Sequence, residues 1–452
     1  MSLITEHAGP RTTLQLIQGE SLESWLETQP PLARQWLEKQ QFKGKNGQHA
    51  WLPDDSGAPD SLVIGWDGKD DFGALGGLPF TLPEGAYELA SPVSALQLLG
   101  WGHGAYRFDQ YKTGDRGPAE LLIPHDKNAD AILSEVSAVS LTRDLINLPA
   151  DELDPERLAE EAVQLADSYG AATTVTTGDE LLSAGYNTIH AVGRAATVAP
   201  RLIDLTWGDS SHPKVSLIGK GVCFDSGGLN IKPGSSMRTM KKDMGGAANV
   251  LGLAQLIMAA GLPVRLRVLV PAVENAIAGN AYRPGDIIQT YKGLSVEIDN
   301  TDAEGRLVMC DALALAAEEK PDLILDYSTL TGSARSAVGA EIAAMFANDD
   351  ALANGLTAGG EAVGDAVWRM PLHRPYRYML DSKVADTVNS ASLPYGGAIT
   401  AALFLERFVD DVPWAHFDIM AYNLRRRPGR PEGGEAMGLR AAFHYLSGRY
   451  GG

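Results

Sequence analysis

The sequence predicts a two-domain α/β protein: a larger C-terminal domain around a central mixed sheet flanked by helices, and a smaller N-terminal α/β domain. Three observations carry this. The chain has 452 residues, enough for two or three domains with substantial cores. Hydrophobic residues make up 44% and charged residues 21%, as in soluble globular proteins. Past residue 150, runs rich in β-branched residues alternate with helical stretches, the pattern of helices packed on a sheet.

In the N-terminal part, residues 13–18 and 61–66 read as strands. Ser21 is a good N-cap, and Ser91-Pro92 is expected to open another helix, because proline suits a first helical position. The Gly-, Asp- and Pro-rich segment 113–118 reads as a linker, and 129–147 as a connecting helix. The expected division is therefore 1–128, 129–147 and 148–452. In the last part, Asp154-Pro155 caps a helix whose Leu158, Ala162 and Leu165 share one face and which Gly170 ends. Strands are expected at 173–177, 202–207, 215–218, 264–270 and 323–327. In open sheets of this kind, ligands gather beyond the carboxyl ends of the strands.

The formal net charge of −19 argues against general binding to nucleic acid or anionic membranes. The one dense basic run, 425–427 with Arg430, fits a solvated loop or ion pairing with a neighbouring subunit better than a nucleic-acid contact. Two cysteines, Cys223 and Cys310, imply no disulfide framework and lie in apolar segments as small buried residues. The opening MSLITEHAGP lacks a basic stretch followed by an apolar one, so no secretory signal is expected. The apolar stretch 250–273 is broken by Arg265, Arg267 and two prolines, and reads as a buried helix and a strand. A cytoplasmic protein is expected.

Two runs, 219–228 (GKGVCFDSGG) and 300–307 (NTDAEGRL), set charged residues in turns beside apolar segments. Ionic groups crowded at the edge of a core are costly unless paired or metal-bound. Asp225, Asp243, Asp302 and Glu304 are joined here by Lys220, Lys232 and Arg306. Taken singly, each acid also fits a turn or a helix cap. No histidine lies between 213 and 372, so a metal site here would be built from oxygen ligands, and four carboxylates suffice for two divalent ions. Zinc, manganese or magnesium would suit such ligands. Lys220 between glycines lacks the spacing of a phosphate-binding loop. As a ligand it would have to lose its proton, which nearby cations and desolvation favour. Lys232 and Arg306 remain to polarise a carbonyl and stabilise an oxyanion.

These residues resemble the leucyl (cytosol) aminopeptidases, di-zinc exopeptidases whose signature NTDAEGRL stands intact at 300–307. GKGVCFDSGGLNIKP (219–233), MRTMKKDMGGAANV (237–250), NAYRPGD (280–286), STLTG (328–332) and WAHFDI (414–419) follow in the family's order. The resemblance covers roughly 140–452. Before it, only GAYRFDQYK at 104–112 looks familiar.

The resemblance implies a metal-dependent aminopeptidase that removes leucine and other apolar residues from the N-termini of peptides by hydroxide attack at a two-metal centre. One ion would be held by Asp225, Asp302 with its backbone carbonyl, and Glu304; the other by Lys220, Asp225, Asp243 and Glu304. Zinc is the first expectation and manganese the second. Lys232 and Arg306 would be catalytic, with the arginine holding a bicarbonate ion as general base. Substrate would be lined by Met240, Thr329, Leu330, Gly332 and Met420, the last where the family's DIAG reads Asp-Ile-Met-Ala. Peptides with a free N-terminus are the implied partners, and a homohexamer the implied assembly. The competing reading from another class is a DNA-binding or regulatory protein on the same fold, which would predict damaged ligands or a strong basic stripe.

Overall fold

The computed structural model describes residues 2–54 and 56–451; the outer ends of the two predicted domains, Met1 and Gly452, lie outside the described residues. The chain divides into two compact units. One comprises residues up to 140 with 425–432, the other 141–424 with 433 onward. The helix Lys127–Asn147 contributes to both.

In the smaller unit, β1 (Leu3–Ile4), β2 (Arg11–Gln18), β3 (His49–Pro53), β4 (Pro59–Trp66), β5 (Ala86–Leu89) and β6 (Glu120–Leu122) form a six-stranded sheet ordered β1-β6-β5-β2-β4-β3. All neighbours are parallel except β3 and β4. Leu14, Leu62, Ile64, Phe72, Leu75, Trp101 and Leu121 pack its core. Two expectations are corrected here. The helix expected at Ser91-Pro92 begins at Ala95, because Ser94 and Gln97 form a reciprocal capping box that satisfies two backbone N–H groups. Segment 113–118 is a loop inside this unit: Arg107 Nη1 donates to the Arg116 carbonyl at 2.8 Å, and Gly117 N donates to Glu84 Oε1 at 2.8 Å. Within the basic run, Arg430 lies 4.4 Å over the Phe72 ring and Arg426 5.9 Å over Phe80. Stacking and a loop position, not a groove for nucleic acid, account for these two arginines.

In the larger unit the strands run β7 (Ala172–Thr177), β8 (Arg201–Trp207), β9 (Lys214–Gly219), β10 (Gly221–Asp225), β11 (Arg265–Asn275), β12 (Ile287–Gln289), β13 (Ser295–Glu297), β14 (Leu323–Ser328), β15 (Ala343–Ala347), β16 (Val367–Arg369), β17 (Thr387–Val388) and β18 (Trp414–Asp418). A nine-stranded mixed sheet is ordered β16-β15-β18-β14-β9-β11-β8-β7, with β10 paired to the far end of β11. Strands β12, β13 and β17 form a small separate sheet. Helices Glu304–Glu318 and Gly397–Glu406 pack with Ile218, Leu269, Ile324 and Trp414 into one core. The expected strands are all present and run longer at several ends. Asp154 caps its helix as expected, accepting from Glu156 N and Arg157 N.

The centre of the sheet positions the site. Strands β11, β9, β14 and β18 run parallel side by side, so their carboxyl ends share one edge. The chain breaks from β9 to β10 at a single residue, Lys220, whose N–H donates to the Tyr327 carbonyl and whose carbonyl accepts from Ala247 N, both at 2.9 Å. Gly246 makes this possible: a Cβ there would stand 2.0 Å from the Tyr327 oxygen. No described helix is long and apolar enough to cross a membrane.

Candidate metal centre

Each charged residue is presented by an element end. Lys220 follows β9 and Asp225 closes β10. Asp243 lies in the 3-10 turn Met240–Met244, immediately before helix Gly245–Ala259. Asp302 precedes, and Glu304 and Arg306 begin, helix Glu304–Glu318. Lys232 sits in the loop after β10, whose backbone is closed by Lys232 N donating to the Ser226 carbonyl at 2.9 Å.

The structure brings the five predicted ligands and Lys232 into one cluster. Asp225, Asp302 and Glu304 each offer an oxygen within 4.8 Å of the others. Lys220 Nζ lies 2.7 Å from Asp243 Oδ2 and 2.7 Å from Glu304 Oε1. Lys232 Nζ lies 2.8 Å from Asp225 Oδ2 and 2.5 Å from Asp302 Oδ1. Lys220, Asp225, Asp243 and Glu304 are all about 2% exposed. A Cβ on Gly305 would stand 2.7 Å from Lys220 Nζ, so any side chain there would displace the lysine.

Four carboxylates thus share two ammonium groups at hydrogen-bond distance, with a third, Lys242 Nζ, 3.7 Å from Asp243 Oδ1, and their proton affinities record the imbalance. Burial pushes Glu304 up, and Asp225 adds repulsion, to about 7. Asp225 and Asp302 are also raised, chiefly by burial. Burial opposes the charge on Asp243, but Lys220 outweighs it and holds the acid well below the carboxylate range. Burial likewise opposes the Lys220 charge, and Asp243 and Glu304 overcome it, holding the ammonium above the lysine range. This is opposite to the neutral lysine expected of a ligand. Among carboxylates alone the ammonium is favoured, and only competing divalent charge would favour the free amine. The oxygen-rich donor set, crowded and undercompensated, fits divalent cations.

Arg306 is 8% exposed, and its Nε and Nη1 have no hydrogen-bond partner among the described residues. Burial lowers it to about 10, against an upward pull from Glu304. A buried guanidinium with two idle donors is suited to an anion or a developing negative charge.

The predicted substrate residues divide. Thr329 is drawn into the cluster, its Oγ1 donating to Asp243 Oδ1 at 2.7 Å. Leu330 follows it in the loop after β14, and Gly332, exposed, opens the helix Gly332–Val338. Met240 opens the turn that carries Asp243 and is 8% exposed. Met420 is buried just after β18; beside it, Ala421 Cβ would lie 2.4 Å from a Cβ on Gly245.

Several residues that shape the site escaped the sequence reading. Asn275 Nδ2 donates to Asp225 Oδ1 at 2.8 Å and to the Thr301 carbonyl at 3.0 Å. Tyr282 OH donates to the same carbonyl at 2.6 Å. Asp418 Oδ1 accepts from the backbone of Leu330 and Thr331, at 2.9 and 3.0 Å, and so fixes the loop after β14. Asn389 holds the turn before Asp302, accepting from Asp299 N at 2.8 Å. The available signal was polarity inside apolar strands: Asn275 ends β11 and Asp418 ends β18. Lys242, next to Asp243, is 1% exposed; its Nζ pairs with Asp243 Oδ1 at 3.7 Å and has no hydrogen-bond partner among the described residues, and burial lowers it to about 8 against the pull of Asp243. Both cysteines are buried and free, with burial pushing their thiols well up, as expected of inert core residues.

Residues 140–443 match the catalytic domain of the cytosol aminopeptidase family, and residues 12–124 match the M17 aminopeptidase N-terminal domain. The second match extends the relationship into the segment where sequence motifs gave almost no sign of it. A probable cytosol aminopeptidase from Roseiflexus castenholzii is 41% identical over 385 residues, spanning 81% of this chain and 79% of its own. One from Xanthobacter autotrophicus is 38% identical over 455 residues, spanning 91% and 90%. The crystal structure of the Coxiella burnetii cytosol aminopeptidase superposes with a TM-score of 0.95 at 46% identity, covering 99% of each chain. The bottromycin maturation enzyme BotP in complex with Mn gives 0.87 at 33%, covering 97% of this chain and 99% of its own. The chain belongs to the cytosol aminopeptidase (M17) family and is a peptidase.

Proposed function

We propose that this protein removes N-terminal residues from peptides at a centre of two divalent ions held by Lys220, Asp225, Asp243, Asp302 and Glu304. The observation that carries the reading is the sharing of two ammonium groups, at hydrogen-bond distance, by four carboxylates, three of them buried and Asp302 partly exposed, at the carboxyl edge of the parallel strands. The ions would supply a Lewis acid for the scissile carbonyl and a hydroxide at neutral pH. Zinc suits the site, and the Mn complex of BotP supports manganese as well.

The chain's own residues do the rest. The carboxylate cluster favours a cationic group, so the free α-amino end of a peptide is drawn to it, and internal peptide bonds lack that anchor. Lys232, 14% exposed by its side chain, is the ammonium nearest solvent and stabilises charge developing on the carbonyl oxygen. Arg306 directs its idle Nε and Nη1 at an anion, which we take to be a bicarbonate ion acting as proton acceptor. Met240, Leu330 and Met420 offer apolar surface for leucine and similar side chains, with Thr329 and Gly332 shaping the loop between them.

We take a homohexamer in the cytoplasm as the working form; what supports association is that Trp368, Tyr378, Val384, Leu393 and Tyr395 in the larger unit are large, exposed and apolar, which suits burial against other copies. Light scattering would measure that assembly. The decisive experiment for function is hydrolysis of a panel of aminoacyl amides by protein loaded with zinc or manganese. Cleavage of free-amine substrates and none of N-acetylated ones is the expected result. No cleavage of any free-amine substrate, at two ions per chain, would refute the reading.

A further inference from the structure

We propose that Asp418 is a positioning residue for substrate selection: by tying the loop after β14 to the end of β18, it sets the spacing between the segments that form the side-chain pocket. The inference rests on the aminopeptidase reading above and names the residue that fixes the width of its pocket.

Asp418 closes β18 opposite Ser328, the last residue of β14, and is 2% exposed. Its Oδ1 accepts from Leu330 N at 2.9 Å and from Thr331 N at 3.0 Å. Its Oδ2 accepts from Thr331 Oγ1 at 2.6 Å. That hydroxyl in turn accepts from Ala334 N at 3.0 Å, so the bonds continue into the first turn of helix Gly332–Val338. One buried side chain therefore gathers three donors from two consecutive residues. Only a carboxylate offers acceptors at both positions and no donor of its own.

The two segments so joined both supply the pocket of the proposed function. Leu330 and Gly332 stand on one, and Met420, two residues past Asp418, on the other. Each is also held from its far side. Thr329 Oγ1 donates to Asp243 Oδ1 at 2.7 Å, which pins the start of the loop to the metal cluster. Past Met420 the chain turns at Ala421 with a left-handed φ of 55°, a conformation unfavourable for any residue but glycine. That turn is held by Ala421 N donating to Met437 Sδ at 3.3 Å and by its carbonyl accepting from Glu435 N at 3.1 Å. Asp418 is thus the link between two separately anchored segments. Without it, Leu330 N and Thr331 N lose their acceptor and the loop is free to shift against Met420. Long substrate side chains that fill the pocket then lose their fit. The reacting groups, held by Thr329 and the metal ligands, keep theirs.

The test compares leucyl and alanyl amides, which share their reacting groups and differ in how far the side chain reaches. In Asp418→Ala the ratio of kcat/KM, leucyl over alanyl, should fall about 10-fold or more, chiefly through the KM of the leucyl substrate, with metal content near two per chain. Asp418→Asn keeps an acceptor for the two backbone N–H groups and should recover most of the ratio. Thr331→Val removes one of the three bonds and should lower it about 2- to 10-fold; where Asp418→Ala does not fold, this variant and Asp418→Asn decide. Calorimetric titration with free leucine and alanine should show the same loss of discrimination, independent of turnover. An equal fall for both substrates means that Asp418 serves the fold alone and overturns the proposal. So does a ratio unchanged in Asp418→Ala and Thr331→Val, and so does loss of bound metal, which would place the effect on Asp243. Failure of the metal-loaded parent to cleave either amide refutes the aminopeptidase reading and this inference with it.

Discussion

Two charged regions of the same sheet behave differently. Within the core, His416 Nδ1 lies 2.5 Å from Asp326 Oδ1, and Trp414 Nε1 donates to Asp326 Oδ2 at 2.6 Å. Burial opposes the imidazolium, but Asp326 outweighs it and raises His416 above its usual range. Nearby, Arg143 meets Glu435 through two nitrogens at 3.0 and 3.1 Å, and Asn423 donates to the same carboxylate at 2.5 Å. In these networks each acid has its own donors. At the carboxyl edge of the sheet, four acids share two lysines at hydrogen-bond distance, with Lys242 a further 3.7 Å from Asp243. A buried charge with its own partners serves the fold, whereas a cluster of acids that must share partners fits an added cation.

That contrast can be broken first at Glu304. Glu304→Ala should lower bound metal and reduce kcat/KM by at least about 10⁴-fold, with a thermal midpoint within a few degrees of the parent. Metal analysis and calorimetry on one sample would decide it, and a large stability loss with metal retained would reverse the two regions' roles. Arg143→Met should do the opposite. Leaving Glu435 buried without its guanidinium should cost about 3–5 kcal/mol in urea unfolding, while activity per folded molecule is kept.

Within the centre itself the contrast sharpens further. Lys232→Ala and Arg306→Ala should each lower kcat by about 10²–10³-fold, with metal content near two per chain. Loss of metal in either would make that residue a ligand and not a catalytic group.

The smallest effect concerns a buried acid outside the centre. Asp311 accepts from Thr188 N at 2.9 Å and Tyr291 N at 2.8 Å, yet burial pushes it up to about 6. A folded-state value above the unfolded one near 3.8 means a stabilising contribution that is full below that pH and is lost as pH rises through 6. Relative to Asp311→Asn, the parent should therefore lose about 2–3 kcal/mol of stability between pH 4 and pH 7.5. Parallel pH profiles for the two proteins would expose the difference, and parallel curves would contradict it.

Much of this was legible in the chain. Local signals are short in range: Asp154-Pro155 caps its helix, and β-branched runs become strands. The helix placed at Ser91-Pro92 was misread because the capping box of Ser94 and Gln97 outweighs a proline three residues earlier. Segment 113–118 has linker composition, but Arg107 and Glu84 tie it into the first unit. Asn275, Tyr282, Asn389 and Asp418 were not seen as site residues, since each acts on a segment at least 19 positions away in sequence.

By itself, the sequence singled out the charged residues that gather at this edge, because acids and lysines stand in local patterns around Gly219, Met240 and Asn300 that a chain need not fold to display. It also determined the alternation of strand and helix. Only the tertiary structure decided the charge balance. Whether an acid has a partner of its own depends on which strand ends meet, and four segments far apart in sequence meet at the break between β9 and β10.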